Sequence, residues 1–319
     1  MRVIYNNKTI IVTAMLVMIW MTGIFVNGAL RKNPPIEDNP GTEYIEGKIL
    51  EELNPETTNV TVSQNEAIEA VEYIWSVPSK AEVRGRLIRD NLKSETYWEI
   101  YWDSLMDPQC NLLFAKVDAN TGEVLDISGR SYATVDNLKN ETKAVEIALK
   151  LVEELGVDQT LLSEPMVLQM ERLGEIRYRV RWGQVYKGIP IWDGWISVYI
   201  NPEILKPGGF DRCLLNVEGV NIVPSISESE VVEAAKVFIT SKLGGQGFKV
   251  EGVVGATLMI CRPNYIWTWL DTDKRSQLGA PTLTWIVTLN TYYPFGVTQP
   301  IWVWVDAHNG HIVGGDILR

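Results

Sequence analysis

The sequence predicts an α+β protein: an N-terminal transmembrane helix, then tandem modules in which one helix packs on a small antiparallel sheet. Three observations predict it. Residues 9–30 carry no charge, helix signals with the same cap recur down the chain, and each helix is followed by strand, turn and strand.

The first element is the apolar run from Thr9 to Leu30, bounded by Arg2 and Lys8 before it and Arg31 and Lys32 after it. Twenty-two helical residues reach about 33 Å, enough for a hydrocarbon core of about 30 Å. The rival reading is a cleaved signal peptide, with Val26 and Gly28 as the small positions before a cut at Ala29, although the run is long for that role. Residues 33–319 carry 25 basic and 40 acidic side chains, a net of −15. Such a body avoids anionic headgroups, which places the N-terminus inside and the body outside the cytoplasm. The whole chain, at −11, is a poor match for nucleic acid. Outside the cytoplasm a disulfide among Cys110, Cys213 and Cys261 is open to the chain, in no pairing the sequence specifies.

Residues 33–60 hold four Pro and several acids without periodicity, and read as a stiff stalk. The body then divides into residues 61–132, 133–223 and 224–319. The first and last open alike: Ser63 stands three residues before Glu66, and Ser227 three before Glu230. In this capping box the hydroxyl accepts a helical N–H and the carboxylate reaches back to the cap's own N–H. Apolar residues at 67, 68, 71, 74 and 75 then share one helical face. A weaker third copy runs from Asn140 to Leu155 and stops at Gly156.

Strand-like text follows each helix, at 97–103 and 112–127 in the first copy and at 283–290 and 301–317 in the last. Asp118 to Gly122 and Asp306 to Gly310 occupy the same point between two strands. Asp and Asn bond their own backbone there and Gly supplies positive φ, so both predict hairpin turns. The middle copy gives strand, turn and strand over 178–201, with a turn read at Asp193-Gly194 between Trp192 and Trp195.

A helix, then W-x-[IV]-x, then Val117-Asp118-Ala119-x-Thr121-Gly122-Glu123-Val124-Leu125 resembles the PepSY module, over 62–127 and again over 226–317. The stretch from Trp182 to Ile191, with Gly188-Ile189-Pro190-Ile191, resembles the propeptide of thermolysin-type metalloproteases and the repeated domain of Gram-positive cell-envelope proteins. The resemblance implies modules that inhibit or help fold a peptidase. No H-E-x-x-H occurs in the chain, so the protease it implies is a separate, secreted or membrane-bound partner acting in trans.

No residue set assembles into a catalytic, cofactor or metal site. His308 and His311, the only histidines, straddle a turn beside Asp306, and turn chemistry explains all three. Gly244, Gly245 and Gly247 follow a helix instead of opening one, unlike a phosphate cradle. Asp271 and Asp273 are a lone D-x-D in polar text. There are twelve Trp against six Phe. Trp267 and Trp269, and likewise Trp302 and Trp304, are two apart, so each pair shares a strand face. They read either as core payload of small sheets or as an exposed aromatic strip for a partner. As candidate binding residues they accompany the expectation of a non-enzymatic, membrane-anchored protein that regulates, inhibits or chaperones an envelope peptidase. The alternative is a surface peptide- or glycan-binding protein with no protease partner.

Overall fold

The computed structural model describes residues 50–75, 77, 81–91, 93–103, 113–128, 141–172, 175–201, 206–263, 278–293 and 296–317. The apolar run at 9–30 lies outside them. Among the described residues no helix is long and apolar enough to cross a membrane.

Both capping boxes form. Ser63 N donates to Glu66 Oε2 at 2.7 Å and Glu66 N to Ser63 Oγ at 3.3 Å, starting α1 (Gln64–Ile74). Ser227 and Glu230 repeat the exchange at 2.9 and 3.5 Å and start α3 (Glu228–Leu243). Between them α2 spans Glu141–Glu154, and Gly156 follows it with φ of 67°. A left-handed residue after a helix is where Gly avoids the Cβ clash.

Each helix is followed by a four-stranded antiparallel meander. After α1 come β2 (Glu82–Asp90), β3 (Glu95–Asp103), β4 (Leu113–Asp118) and β5 (Val124–Ser128). After α2 come β6 (Met166–Arg172), β7 (Glu175–Tyr186), β8 (Ile189–Asn201) and β9 (Lys206–Cys213). After α3 come β10 (Lys249–Cys261), β11 (Thr282–Tyr292), β12 (Thr298–Asp306) and β13 (Ile312–Ile317). The body is mixed α+β, mostly sheet with few helices. The middle unit has the same plan as the flanking two, one helix followed by four strands.

The two outer units share one internal fastening. Trp98 Nε1 donates to Val62 O at 2.9 Å, and Trp285 Nε1 to Ile226 O at 3.2 Å. Each acceptor immediately precedes a helix cap, and each also donates its N–H to a turn alanine, Ala119 or Ala307, at 3.0 Å. Both alanines are fully buried. The indole thus ties the start of the helix to the sheet it covers. The turns beside them form as expected: Asp118 Oδ1 accepts from Asn120 and Thr121 N, Asp306 Oδ1 from His308 and Asn309 N, and Gly122 and Gly310 have φ of 75° and 76°.

The first two meanders merge through antiparallel β5–β9 pairing, with α1 and α2 packed on the same face of the joint sheet over one core. The third attaches through a single parallel pair, Ile260 opposite Ile191. A small apolar cluster including Ile191, Val217, Ile260 and Leu283 fills that junction. Beside it Arg262, 8% exposed, reaches Glu95 at 3.6 Å and Asp193 at 3.4 Å, so one guanidinium touches all three units.

Two expectations are corrected. The stalk does not extend to residue 60: Leu50–Leu53 form β1, an antiparallel edge strand on β2, with Leu53 packed on the core. Two leucines three apart and an open sheet edge outweigh the polar text around them. Asp193-Gly194 is not a turn but lies inside β8; the reversal is Lys187-Gly188, at φ of 49° and 81°. Gly194 serves close approach instead, since a Cβ there would run into the buried side chain of Gln184. That amide bonds both ways to Leu215, donating Nε2 to its O and accepting its N–H on Oε1, each at 2.8 Å.

Candidate functional site

Strand alternation sends Leu87, Trp98, Ile100, Ala115, Ile127, Phe210, Ile196, Val198 and Val180 to the helix-covered face of the joint sheet. The intervening residues therefore share the other face. One line of direct cross-strand partners runs over seven strands there: Arg86, Glu99, Lys116, Asp126, Asp211, Ser197 and Arg181. Neighbouring charges alternate in sign except at the centre, where Asp126 and Asp211 meet across the β5–β9 seam.

The outer members are paired. Arg86 holds Glu99 through Nη2 at 2.7 Å and Nε at 2.8 Å, and Tyr101 Oη donates to the same carboxylate at 3.0 Å. Lys116 Nζ is 4.0 Å from Glu99 and 4.9 Å from the Tyr97 ring centroid. Arg181 lies over Trp195 at 4.7 Å and Arg179 over Tyr199 at 5.5 Å, geometry in which a cation meets the negative face of the ring. Burial, reinforced by Arg179, lowers the Arg181 pKa to about 10.

A cleft of about 550 Å³ opens over the seam. Tyr97, Trp195 and Tyr199 form its aromatic walls, and Asp90, Glu95, Asp118, Glu123, Asp126 and Asp211 outnumber Lys93, Lys116 and Arg212 on its lining. Arg212 is engaged already, with Glu123 at 2.8 Å and Val124 O at 2.8 Å. Asp211 Oδ2 accepts the Trp195 indole N–H at 2.7 Å, with Arg179 at 3.7 Å. Burial, then the charge of Asp211, pushes the Asp126 carboxyl up to about 7, and Lys116 opposes the shift. The Tyr97 hydroxyl is pushed up to about 12, first by burial and then by Glu99. The arrangement is an acidic, aromatic-walled trough, suited to holding a polar segment more than to attacking one. Its thiol, Cys213, is pushed up to about 11 by burial and stays protonated and weakly nucleophilic.

No family model matches the chain. No curated protein matches it either. Among solved structures, the Bacillus megaterium YpeB C-terminal domain aligns over 82% of this chain and all of its own length, at 10% identity and a TM-score of 0.43.

Two of the residues singled out by sequence, Trp302 and Trp304, lie elsewhere. Trp302 and Trp304 are on β12, 4% and 0% exposed, packed with Met259, Cys261 and Ile286 on the sheet face opposite α3. Trp192 from β8 stands edge-on to both, 5.1 and 4.9 Å away. They form a core cluster and not an exposed strip: a third indole, delivered from the middle unit, covers the face that looked bare. Trp267, Trp269 and Cys110 lie outside the described residues. His308 Nε2 sits 3.2 Å from Asn221 O, and among the described residues no group of three His, Cys, Asp or Glu is placed to hold a metal. Cys213 and Cys261 are free thiols.

Sequence reading missed the cleft because its two sides come from strands that do not look paired. A signal existed in the alternation of Lys116 and Asp118 about Val117, and of Arg179 and Arg181 about Val180. Such charged alternation marks a sheet face turned from the core.

Proposed function

We propose that this chain is a non-enzymatic binding protein whose β5–β9 cleft receives a basic, extended polypeptide segment. The observation that carries the reading is the acid-rich, aromatic-walled trough on a sheet face from which α1 and α2 are turned away. Six acidic and three basic side chains line it, and with Arg212 and Glu123 paired to each other the remaining acids still exceed the remaining bases, so a segment bearing Lys or Arg is the complementary occupant. Tyr97, Trp195 and Tyr199 supply broad rigid contact of the kind that anchors interfaces. The resemblance of residues 62–127 and 226–317 to PepSY modules supports an envelope peptidase, or its precursor, as the protein that presents this segment. The charge-free run at 9–30 supports attachment to a membrane with the acidic body outside the cytoplasm.

The test places a photo-crosslinking residue at Leu125, on the cleft lining, and in a second variant at Val237, which is 63% exposed on α3. Both full-length variants are irradiated in producing cells and their adducts identified by mass spectrometry. Adducts with a peptidase at Leu125 and not at Val237 are expected. Adducts with a polysaccharide or an unrelated peptide at Leu125 transfer the cleft to the surface-ligand reading. Equal labelling at both positions, or none, overturns the cleft as the binding site.

A further inference from the structure

The joint sheet of the first two units is held at its centre by three rungs: Asp126 opposite Asp211, Ile127 opposite Phe210, and Ser128 opposite Gly209. Two of them pull the strands together. Ile127 and Phe210 are fully buried, and a Cβ on Gly209 would strike the Ile127 carbonyl oxygen. The remaining rung sets two carboxylates face to face, an arrangement that destabilises a strand pair when both are charged.

The surroundings do not neutralise both. From β8, Trp195 donates to Asp211 Oδ2, and from β7 Arg179 approaches it. Asp211 Oδ1 is buried and makes no hydrogen bond among the described residues. From β4, Lys116 stands directly opposite Asp126, yet its ammonium sits by Glu99 of β3 and over Tyr97. Tyr199 of β8 directs its hydroxyl at Asp211, Glu99 adds a further negative charge facing Asp126, and Arg181 is drawn over Trp195. Asp126 has no ion pair of its own among the described residues. A proton on it removes one of the two opposed charges.

We propose that a proton on Asp126, facing Asp211 across the β5–β9 seam, latches that seam, and that losing it loosens the seam and widens the cleft. The balance is simple: the proton leaves to solvent and the pair goes from one negative charge to two. Burial and the facing Asp211 raise the Asp126 carboxyl from 3.8 to about 7 when the strands are paired. An acid whose pKa is raised by pairing holds its proton more tightly in the paired state. Pairing is therefore strongest below the ordinary carboxyl range and weakens as pH climbs through about 7.

The inference concerns regulation of the cleft and rests on the proposed function only for its consequence, ligand exchange. Its test needs no ligand, so failure of the latch leaves the crosslinking result standing, and the reverse. Amide hydrogen exchange of the full chain in detergent is followed at pH 5.5 and 8, each corrected for the intrinsic rate. Residues 124–128 and 206–213 are expected to lose protection by about ten-fold at the higher pH, while residues 298–306 of β12 do not change. Asp126→Asn, which keeps size and removes the charge, is expected to stay protected at both. Should that variant fail to fold, Asp126→Ser takes its place. Equal wild-type protection at the two pH values overturns the latch, as does the same loss in the uncharged variant.

Discussion

Replacing Trp304 with Ala separates a core indole from a surface one. The side chain is fully buried on β12, and its ring centroid lies 4.9 Å from that of Trp192 in an edge-on contact. Burying an indole removes about 150–250 Å² from water, about 4–6 kcal/mol at 25 cal/mol/Å² as an upper figure. Measured truncations of buried Phe and Trp cost about 3–5 kcal/mol, cavity included. The aromatic edge contact accounts for about 1 kcal/mol of that. Taking about 4 kcal/mol, the body melting as a whole should do so about 10 °C lower, at about 2–4 °C per kcal/mol for its size. Thermal unfolding of the full chain in detergent, followed by near-ultraviolet circular dichroism, reads the shift directly. A change below about 0.5 kcal/mol, the size of an ordinary surface substitution, refutes the packing argument and returns Trp304 to the partner-facing strip.

Three further outcomes follow from the fold. Ser63→Ala and Ser227→Ala should each cost about 1 kcal/mol in urea unfolding, since each hydroxyl caps a helical N–H; no change in midpoint would show the boxes to be ornamental. Their Glu66 and Glu230 partners have pKa values lowered by the serine bonds, so this support is present above about 4.5 and fades as pH falls through the lowered values. Arg262→Met should cost about 3 kcal/mol at neutral pH, because it strands Asp193 and Glu95 without their shared cation. Burial raises the Asp193 carboxyl, so the loss should shrink on acidification as that group takes a proton, and a pH-independent loss would contradict the ion-pair account. Gln184→Leu should cost about 2 kcal/mol by removing both bonds to Leu215, measured by the same urea titration, with an unaltered midpoint as the refuting result.

Local chemistry was legible and long-range assembly was not. Ser63 with Glu66 and Asp118 with Gly122 act within a few residues, so their geometry is written in their spacing. The Trp98 and Trp285 fastenings belong to a motif visible in text, although their acceptors, Val62 and Ile226, could not be read from it. Lys187-Gly188 and Asp193-Gly194 both carry Gly in turn-like text, and only the burial of Gln184 shows which glycine is there for space. Leu50–Leu53 looked like linker because four residues have too little periodicity to announce a strand. The cleft depends on Asp126 meeting Asp211, and no local preference encodes that partner. Trp302 and Trp304 were rightly placed on one face, but the residue covering them, Trp192, comes from another unit.

The seam also sets an order of events when the chain is made. Arg212 Nε bonds Val124 O across 88 residues, whereas each meander closes through near neighbours. Contacts that distant form after local ones. During synthesis the first unit must wait with the outer edge of β5 unpaired, a bare edge that invites another copy of itself. Asp126 and Lys116 put charge beside that edge, which is how natural sheets discourage mispairing. We predict that a nascent-length fragment ending at residue 200 stays monodisperse and that its Asp126→Val form self-associates, as light scattering would reveal. Equal scattering from both would remove the idea. On this account the carboxylate that strains the finished sheet is also the guard of the unfinished one.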